Sequence, residues 1–301
     1  MSQRILLTGA TGQVGGELVP LLRPLGDIYV PARDEMDLAD VASVRRVIQA
    51  VQPRWIVNPA AYTAVDKAES ESDLAYAINA ESVRAIGEEA RSINAGVIHF
   101  STDYVFDGKG TQPYREEDST GPAGVYGASK LAGEKALAES GAAYLIFRTS
   151  WVYGATGKNF LRTILKAAAE RERLRVVADQ HGAPTWSRDL ARMVAHVIQQ
   201  VEKTVPQEDL SQSVMKVKGI YHASGGGETT WHGFAVEAIR RMRERVPEAK
   251  LAEVDAIATE DYPTPAKRPM NSRLNCERLM TTFDWKMMDW RDSLREVIAE
   301  L

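Results

Sequence analysis

The sequence predicts an α/β protein, a Rossmann-type doubly wound parallel sheet with a smaller C-terminal α/β substrate domain. Short apolar runs alternate with longer amphipathic segments through the first half of the chain. Glycines recur at three-residue intervals directly after the first run, and residues 82–94 carry apolar side chains at a helical period. Parallel strands joined by crossover helices produce this alternation, because helices cover both faces of the sheet.

The apolar runs define the expected elements. Strand candidates lie at residues 5–7, 28–30, 55–58, 97–101, 144–148, 174–177 and 219–222. Helix candidates lie at residues 17–22, 82–94, 160–172, 188–201, 231–245 and 290–301. Turns are expected at residues 178–186 and 225–227, and an exposed loop at residues 202–213, which are polar and contain Pro206.

These elements suggest two domains. We expect residues 1–152 plus about 186–222 to form a dinucleotide-binding domain, and residues about 153–185 plus 223–301 to form a substrate-binding domain.

Composition limits the classes of partner. The chain has 301 residues, of which 44% are hydrophobic and 26% charged, with a formal net charge of −4. No broad basic surface is expected, which argues against nucleic acid, and no apolar run is long enough to cross a membrane. The single cysteine, Cys276, fits a packing role in a reducing compartment. Because Arg4 begins an apolar strand without a secretory signal before it, we expect a cytoplasmic protein.

The glycine-rich segment TGATGQVG (residues 8–15) joins the first strand candidate to a helix. Glycine allows a tight turn and a close approach of backbone amides to a pyrophosphate, and the helix N-terminus offers unpaired N–H groups. The same triplet also suits an ordinary strand-to-helix turn. Its place after the first strand favours a dinucleotide site at Gly9, Gly12 and Gly15.

The adenosine end of a dinucleotide is expected at residues 31–38, after the second strand. An acid there would bind the ribose, whereas Arg33 would meet the 2′-phosphate of NADPH or would simply lie on an exposed charged loop. This favours NADPH, with NADH as the alternative. The segment NPAAY (residues 58–62), which includes Ala60, follows the third strand and should lie along the cofactor.

Catalytic candidates follow the fourth strand. Tyr126 and Lys130 stand four residues apart, so on one helix they share a face, and an ammonium near the phenol would lower the phenol pKa towards a working range. A ketone that accepts hydride develops negative charge on its oxygen, which a hydroxyl donor, Thr102, and a proton donor, Tyr126, would stabilise. The tyrosine–lysine pair alone is commonplace, but beside a glycine loop it predicts ketone reduction.

Seven segments resemble the extended short-chain dehydrogenase/reductase superfamily and, within it, the dTDP-4-dehydrorhamnose reductase family. They are TGATGQVG (8–15), NPAAYTAVDKAE (58–69), STDYVFDG (101–108), YGASK (126–130), RTSWVY (148–153), ADQHGAPT (178–185) and RPMNS (268–272). The glycine triplet and YxxxK mark only the superfamily. The DKAE, STDYVFDG, RTSW and DQxGxPT segments narrow it to these reductases, and the likeness spans nearly the whole chain.

The resemblance implies reduction of the 4-keto group of dTDP-4-dehydro-L-rhamnose by NADPH or NADH, in dTDP-rhamnose and cell-surface polysaccharide biosynthesis. Thr102, Tyr126 and Lys130 would be catalytic, and Lys130 would also reach the nicotinamide ribose. Implied dinucleotide contacts are Gly12, Gln13, Val14, Asp37, Leu38, Ala61, Tyr62 and Thr63. Implied contacts to the dTDP-sugar are Thr102, Asp103, Tyr126, Trp151, Asp179, Gln180 and Arg268.

Several roles stay open at this stage. Trp151 would face the sugar or merely cover the core, and Arg268 would neutralise the diphosphate or lie on the surface. Some relatives hold Mg²⁺ at a carboxylate-lined dimer contact, to which Glu17 would contribute unless it is an ordinary solvated helix residue. A metal requirement and a homodimer are therefore left open.

Two other functions share these features. Nucleotide-sugar dehydratases and epimerases use the same fold and YxxxK pair, but the dehydratases place a glutamate where Tyr104 stands here. The regulatory subunit of methionine adenosyltransferase also resembles these reductases, although the intact Thr102, Tyr126 and Lys130 argue against a non-catalytic role.

Overall fold

A computed structural model describes residues 4–203 and 210–301. Its strands are β1 (Arg4–Leu7), β2 (Asp27–Tyr29), β3 (Trp55–Asn58), β4 (Gly96–Thr102), β5 (Ala143–Thr149), β6 (Val152–Tyr153), β7 (Arg173–Val177), β8 (His181–Gly182), β9 (Thr185–Trp186), β10 (Gly219–His222), β11 (Thr229–Thr230) and β12 (Glu253–Ile257). Its helices are α1 (Gln13–Leu22), α2 (Val41–Val51), α3 (Val65–Ala68), α4 (Ser72–Tyr76), α5 (Ser82–Ser92), α6 (Val125–Glu139), α7 (Phe160–Glu170), α8 (Ser187–Lys203), α9 (Leu210–Lys216), α10 (Trp231–Arg245), α11 (Glu277–Phe283) and α12 (Trp290–Glu300).

A six-stranded parallel sheet carries the architecture, in the order β10-β5-β4-β3-β1-β2. The chain runs outward from β1 to β2 and then returns to β3 on the other side of β1, so the strand order reverses there. In the register, Leu7 lies opposite Val57, and Asn58 lies opposite His99. Ligands of open α/β sheets bind at the carboxyl ends of the strands beside such a reversal.

Burial on both faces explains why the central strands read as continuous apolar runs. Every residue of β3, β4 and β5 is buried. One face packs against α1 and α8, whose Leu18, Leu190 and Val194 share a core with Leu7 and Val57. The other face packs against α2 and α5. The predicted doubly wound sheet is confirmed.

The smaller elements lie beyond this sheet. The pairs β6–β9, β7–β12 and β8–β11 form two-stranded sheets. An aromatic core that includes Tyr153, Trp186, Phe234 and Trp290 packs between α7, α10 and α12. In the described part of the chain, no helix combines the length and apolar character needed to span a bilayer.

The predicted exposed loop at residues 202–213 is wrong where it can be compared. Helix α8 continues to Lys203, and α9 begins at Leu210. Leu210 and Val214 are buried against the sheet core, which stabilises a helix in a stretch that reads as polar. Residues 204–209, including Pro206, lie outside the described residues.

Candidate active site

The glycine loop forms a tight turn against the loop that follows β3. Gly9 has φ +60°, and a Cβ there would lie 2.9 Å from Ala60 Cβ. A Cβ on Gly15 would lie 2.0 Å from the carbonyl oxygen of Gly9. Only glycine fits either position without moving the backbone.

The first turn of α1 points unpaired amides at the carboxyl edge of the sheet. Gly12 is the N-cap residue and supplies no side-chain cap. The N–H groups of Gln13, Val14 and Gly15 therefore have no intrahelical acceptor, whereas Gly16 N donates to Gly12 O at 2.9 Å. Such a cradle suits a pyrophosphate, so these residues fit a dinucleotide.

The segment after β2 brings together the two candidates for the adenosine end. Arg33 is exposed. Asp37 is half-buried, and its Oδ1 accepts a hydrogen bond from Ala39 N at 2.9 Å. Leu38 packs against the core beside α2. An exposed guanidinium and a half-buried carboxylate in one loop leave both cofactor hypotheses standing.

Asn79, which the sequence analysis missed, fixes the loop that contains Ala61, Tyr62 and Thr63. Tyr62 N donates to Asn79 Oδ1 at 2.8 Å, and Asn79 Nδ2 donates to Tyr62 O and to Ser129 Oγ, both at 3.0 Å. Ser129 lies on α6 between the two catalytic candidates. The predicted cofactor loop is thereby tied to the predicted catalytic helix.

Thr102 and Tyr126 meet at the carboxyl end of β4. The Thr102 hydroxyl donates to Asp103 Oδ1 at 3.1 Å and accepts from Tyr104 N at 3.2 Å, and it lies close enough to the Tyr126 phenol to lower the pKa of that phenol. The Tyr104 ring packs edge-on against Tyr126 with centroids 5.5 Å apart. The structure thus brings together the hydroxyl and the phenol that the sequence predicts to act on one carbonyl.

The expectation that Lys130 lowers the phenol pKa is wrong for this structure. Burial raises the pKa of Tyr126 to about 12, the nearby Thr102 hydroxyl opposes the rise, and the Asp103 carboxylate adds to it. Lys130 Nζ donates instead to Phe100 O at 2.6 Å and lies 3.3 Å from His99 Nε2. Sequence spacing gives the shared helix face but not the direction of the side chain.

Lys130 is itself buried, with 2% of its surface exposed. Burial lowers the pKa of its ammonium to about 8, and the nearby Glu134 carboxylate opposes that shift. His99 was not predicted as a site residue. A histidine inside a continuous apolar strand was the available signal.

Asp103 is buried beside Thr102, with 3% of its surface exposed. Burial raises the pKa of its carboxyl to about 6, although the nearby hydroxyls of Ser272 and Thr102 pull in the other direction. Its charge state therefore changes within the range over which enzymes are assayed.

Trp151 stands at the exit of β5 in an uncommon backbone conformation, with φ +49°. Its ring stacks on Trp231 with centroids 3.7 Å apart and an interplanar angle of 16°. A Cβ on Gly182 would lie 2.6 Å from Trp151 Cε2. Trp151 is only partly buried, so the ring both packs on a neighbour and presents surface.

Asp179 and Gln180 both bind Thr259. The Asp179 carboxylate accepts from Thr259 N at 3.0 and 3.1 Å, and Gln180 Nε2 donates to Thr259 Oγ1 at 3.1 Å. Burial alone would raise the pKa of Asp179, but the bonds from Thr259 bring it below its ordinary value. Both side chains brace the loop after β12.

Arg268 lies beside Tyr104 at a cavity of about 130 Å³ that also contacts Lys109 and Lys267. Asp66 accepts a hydrogen bond from Arg268 Nη2 at 2.7 Å. Arg268 Nη1 is buried and has no hydrogen-bond partner within residues 4–203 and 210–301. A guanidinium with one unsatisfied N–H arm beside two lysines suits an anionic ligand.

Glu17 is bound by an arginine. Arg188 Nε donates to Glu17 Oε2 at 2.7 Å, and Arg188 Nη2 donates to Glu300 Oε2 at 3.0 Å. Among the residues that the structure describes, no group of three or more metal-binding side chains comes together. The guanidinium occupies the space between the two carboxylates, so this site does not fit Mg²⁺.

Comparisons with known proteins agree with this geometry. The family model for the RmlD substrate binding domain matches residues 3–301. The chain is 45% identical over 301 residues to a dTDP-4-dehydrorhamnose reductase of Escherichia coli K12, covering 99% of this chain and 97% of that protein. It is 44% identical over 300 residues to one from Burkholderia thailandensis, covering 99% of each.

A solved structure gives the same result. The dTDP-4-dehydrorhamnose reductase of Bacillus anthracis, crystallised in complex with NADP, matches 100% of both chains with 35% identity and a TM-score of 0.88. The chain therefore belongs to the dTDP-4-dehydrorhamnose reductase family.

Proposed function

We propose that this chain reduces the 4-keto group of dTDP-4-dehydro-L-rhamnose to the hydroxyl of dTDP-L-rhamnose. The observation that carries the proposal is the juxtaposition of Thr102 with Tyr126, whose helix Asn79 ties to the loop packed on Gly9. When bound, the reduced nicotinamide supplies the hydride that reaches the carbonyl carbon. NADPH is the proposed donor and NADH the alternative.

Tyr126 supplies the proton for the oxygen of the reduced ketone. Because burial raises its pKa to about 12, the phenol remains protonated across the neutral range and is available as an acid. The Thr102 hydroxyl stabilises the developing charge on the same oxygen. Lys130, on the same helix face as Tyr126, positions the nicotinamide ribose.

The remaining cofactor residues have distinct proposed roles. Amides of Gln13, Val14 and Gly15 bind the pyrophosphate, with Gly9 and Gly12 shaping the turn. Asp37 accepts from a ribose hydroxyl, Leu38 and the Ala60–Thr63 loop line the adenine and nicotinamide sides, and exposed Arg33 binds the 2′-phosphate.

The sugar-nucleotide side is built from charged and aromatic groups. We assign Asp103 to a sugar hydroxyl, the partly exposed face of Trp151 to the sugar ring, and the unsatisfied Nη1 of Arg268 to the diphosphate. Asp179 and Gln180 act through Thr259, whose loop they hold beside this pocket.

The sheet topology supports the proposed division into two domains. Strands β1–β5 lie within residues 1–152 and β10 within about 186–222, so the whole sheet falls in the dinucleotide-binding part. Residues about 153–185 plus 223–301 supply the proposed diphosphate ligand Arg268 and the Thr259 loop. We also propose a cytoplasmic location, where nucleotide-sugars and reduced nicotinamides are made.

Dehydration is the second candidate reaction, and one observation disfavours it. Tyr104 lies against Tyr126 at the position where the resemblance would place the glutamate of a dehydratase. Burial and the Asp103 carboxylate raise the pKa of Tyr104 far above the neutral range, so its phenol cannot act as the base of an elimination.

The test is NADPH oxidation with dTDP-4-dehydro-L-rhamnose generated in situ, coupled to detection of dTDP-L-rhamnose. Substrate-dependent oxidation that matches product one to one supports the proposal. A tightly bound NAD that is recycled without net oxidation would favour the dehydratase reading. No turnover with NADPH or NADH, together with stable co-purification with a methionine adenosyltransferase, would favour the regulatory subunit.

A further inference from the structure

A line of buried polar side chains lies beneath the active site. Thr8 Oγ1 donates to Asn58 Oδ1 at 2.5 Å, Asn58 Nδ2 lies 3.1 Å from His99 Nδ1, and His99 Nε2 lies 3.3 Å from Lys130 Nζ. Each of the four residues is at most 5% exposed. Buried polar groups are costly unless they are hydrogen-bonded, and the roles proposed above use only Lys130 among these four.

The direction of these hydrogen bonds fixes the histidine tautomer. Because Thr8 occupies the oxygen of Asn58, the amide presents its N–H to His99 Nδ1, which must accept. Burial and the charge of Lys130 lower the pKa of His99 well below its ordinary value, so the ring is neutral. A neutral ring that accepts at Nδ1 carries its proton on Nε2, facing Lys130.

A donor that faces Lys130 distinguishes between the two forms of the lysine. The ammonium would direct an N–H at the N–H of His99, whereas the neutral amine accepts from Nε2–H and still donates to Phe100 O. The other charged group that acts on Lys130 is Glu134 on the same helix, with Arg148 of β5 behind it; Tyr126 lies four residues before Lys130 on that helix. Burial favours the amine as well, while Glu134 favours the ammonium.

We propose that His99 is a positioning residue for ketone reduction: it holds Lys130 in place and sets the pH at which the Lys130 ammonium becomes the neutral amine. This inference rests on the proposed reductase function. When the ammonium loses a proton to water, an N–H bond breaks, and the electron pair left on Nζ accepts His99 Nε2–H. Without His99, Lys130 therefore stays protonated to higher pH and is held less firmly.

Two substitutions of His99 distinguish the contact made by Nδ1 from the contact made by Nε2. His99→Asn keeps an amide near the Nδ1 position, towards Asn58, but places nothing at the Nε2 position. His99→Gln reaches the Nε2 position with an amide N–H. We expect His99→Asn to move the alkaline limb of the pH profile of kcat to higher pH by about one unit. It should lower kcat about tenfold and leave KM for NADPH unchanged. His99→Gln should stay within about threefold of the wild type.

If His99 had only a structural role, the His99→Asn variant would behave differently. His99→Asn would then lower Tm and the yield of active protein, but the pH limb of the remaining activity would not move, and this result would overturn the inference. Should His99→Asn not fold, Thr8→Val removes the hydroxyl that orients Asn58 and leaves His99 in place. Thr8→Val should move the alkaline limb of kcat to higher pH by a smaller amount. A limb that does not move would also contradict the inference.

Nitrogen-15 NMR of the histidine-labelled wild type tests the proposed tautomer of His99 without any turnover. We expect the His99 ring to stay neutral between about pH 6 and pH 9 with its proton on Nε2. A proton on Nδ1 would overturn the inference. If the protein reduces no nucleotide-sugar, the proposed function fails. The spectrum still decides whether His99 carries its proton on Nε2, towards Lys130.

Discussion

Glu134 on α6 and Arg148 on β5 form a buried ion pair between the catalytic helix and the sheet. Arg148 Nε donates to Glu134 Oε1 at 2.9 Å, and Nη2 donates to Oε2 at 2.7 Å. The side chains are only 3% and 2% exposed. Because Glu134 follows Lys130 by one helical turn, the pair fixes the rotation of the face that carries Lys130.

Glu134→Gln should therefore destabilise the protein strongly. The change leaves the Arg148 charge buried without its carboxylate, which typically costs about 3–5 kcal/mol in the free energy of unfolding. Urea unfolding at neutral pH measures the loss. Glu139→Gln on the same helix removes an exposed carboxylate and should cost less than about 1 kcal/mol, so equal losses for the two variants would contradict this account.

Tyr126→Phe should lose most reduction and keep cofactor binding. Removing the proton donor should lower kcat by about 10²–10⁴-fold, while NADPH affinity by fluorescence titration stays near the wild type. Tyr104→Phe is the matched control, because its ring also contacts this site but its hydroxyl is given no role in proton transfer. Full activity of the Tyr126 variant would remove the acid assignment.

Arg33→Asp should shift the preference between nicotinamides. If Arg33 binds the 2′-phosphate, its loss should lower kcat/KM for NADPH relative to NADH by at least about tenfold, the size of one charge-assisted hydrogen bond. Arg46→Asp changes an exposed arginine on the neighbouring α2 and should leave the ratio unchanged. An unchanged ratio in the Arg33 variant would disprove the phosphate contact.

Asp103 should make stability depend on pH. Burial raises its pKa from 3.8 to about 6 in the folded state, so between these values the folded protein holds more protons than the unfolded chain. Its contribution is therefore fully present below the unfolded pKa and is lost as pH rises through about 6. Asp103→Asn does not titrate.

The free energy of unfolding of Asp103→Asn relative to the wild type should increase by about 2–3 kcal/mol between about pH 4 and pH 7. Urea unfolding of both proteins across this range gives the difference, and titration of all other groups cancels in the comparison. A difference that does not change with pH would show that folding does not raise the pKa of Asp103, and would contradict this account.

Metal removal should leave activity unchanged. Arg188 already neutralises Glu17 and Glu300, so no carboxylate pair is left for Mg²⁺ at this place. We expect turnover and oligomeric state by size exclusion to be the same with EDTA as with added Mg²⁺. A loss of either in EDTA that Mg²⁺ restores would show a metal site that the carboxylates here do not provide.

The central sheet was predictable because its strands are buried on both faces. Residues 55–58 and 97–101 read as apolar runs, and the glycine loop marks where β1 ends. Helix α9 was missed because Leu210 and Val214 are stabilised by tertiary packing rather than by their own segment. Local pattern carries no information about that contact.

The site was predictable in its residues and less so in its contacts. Thr102, Tyr126 and Lys130 follow from motif spacing, and the structure brings the first two together. The partners of His99 and Arg268 come from distant segments, as in the bond from Arg268 to Asp66, so spacing could not reveal them. Nor could helical periodicity tell that Lys130 turns towards Phe100 O.

Hydride transfer to the sugar carbonyl is the central claim, and an isotope label tests it most directly. NADPH carrying deuterium at the reactive position of nicotinamide C4 should be oxidised with dTDP-4-dehydro-L-rhamnose, and the product examined by NMR and mass spectrometry. The account predicts one deuterium per product, at C4 of the rhamnose. Product without deuterium, deuterium at another carbon, or oxidation that does not depend on the sugar would contradict it.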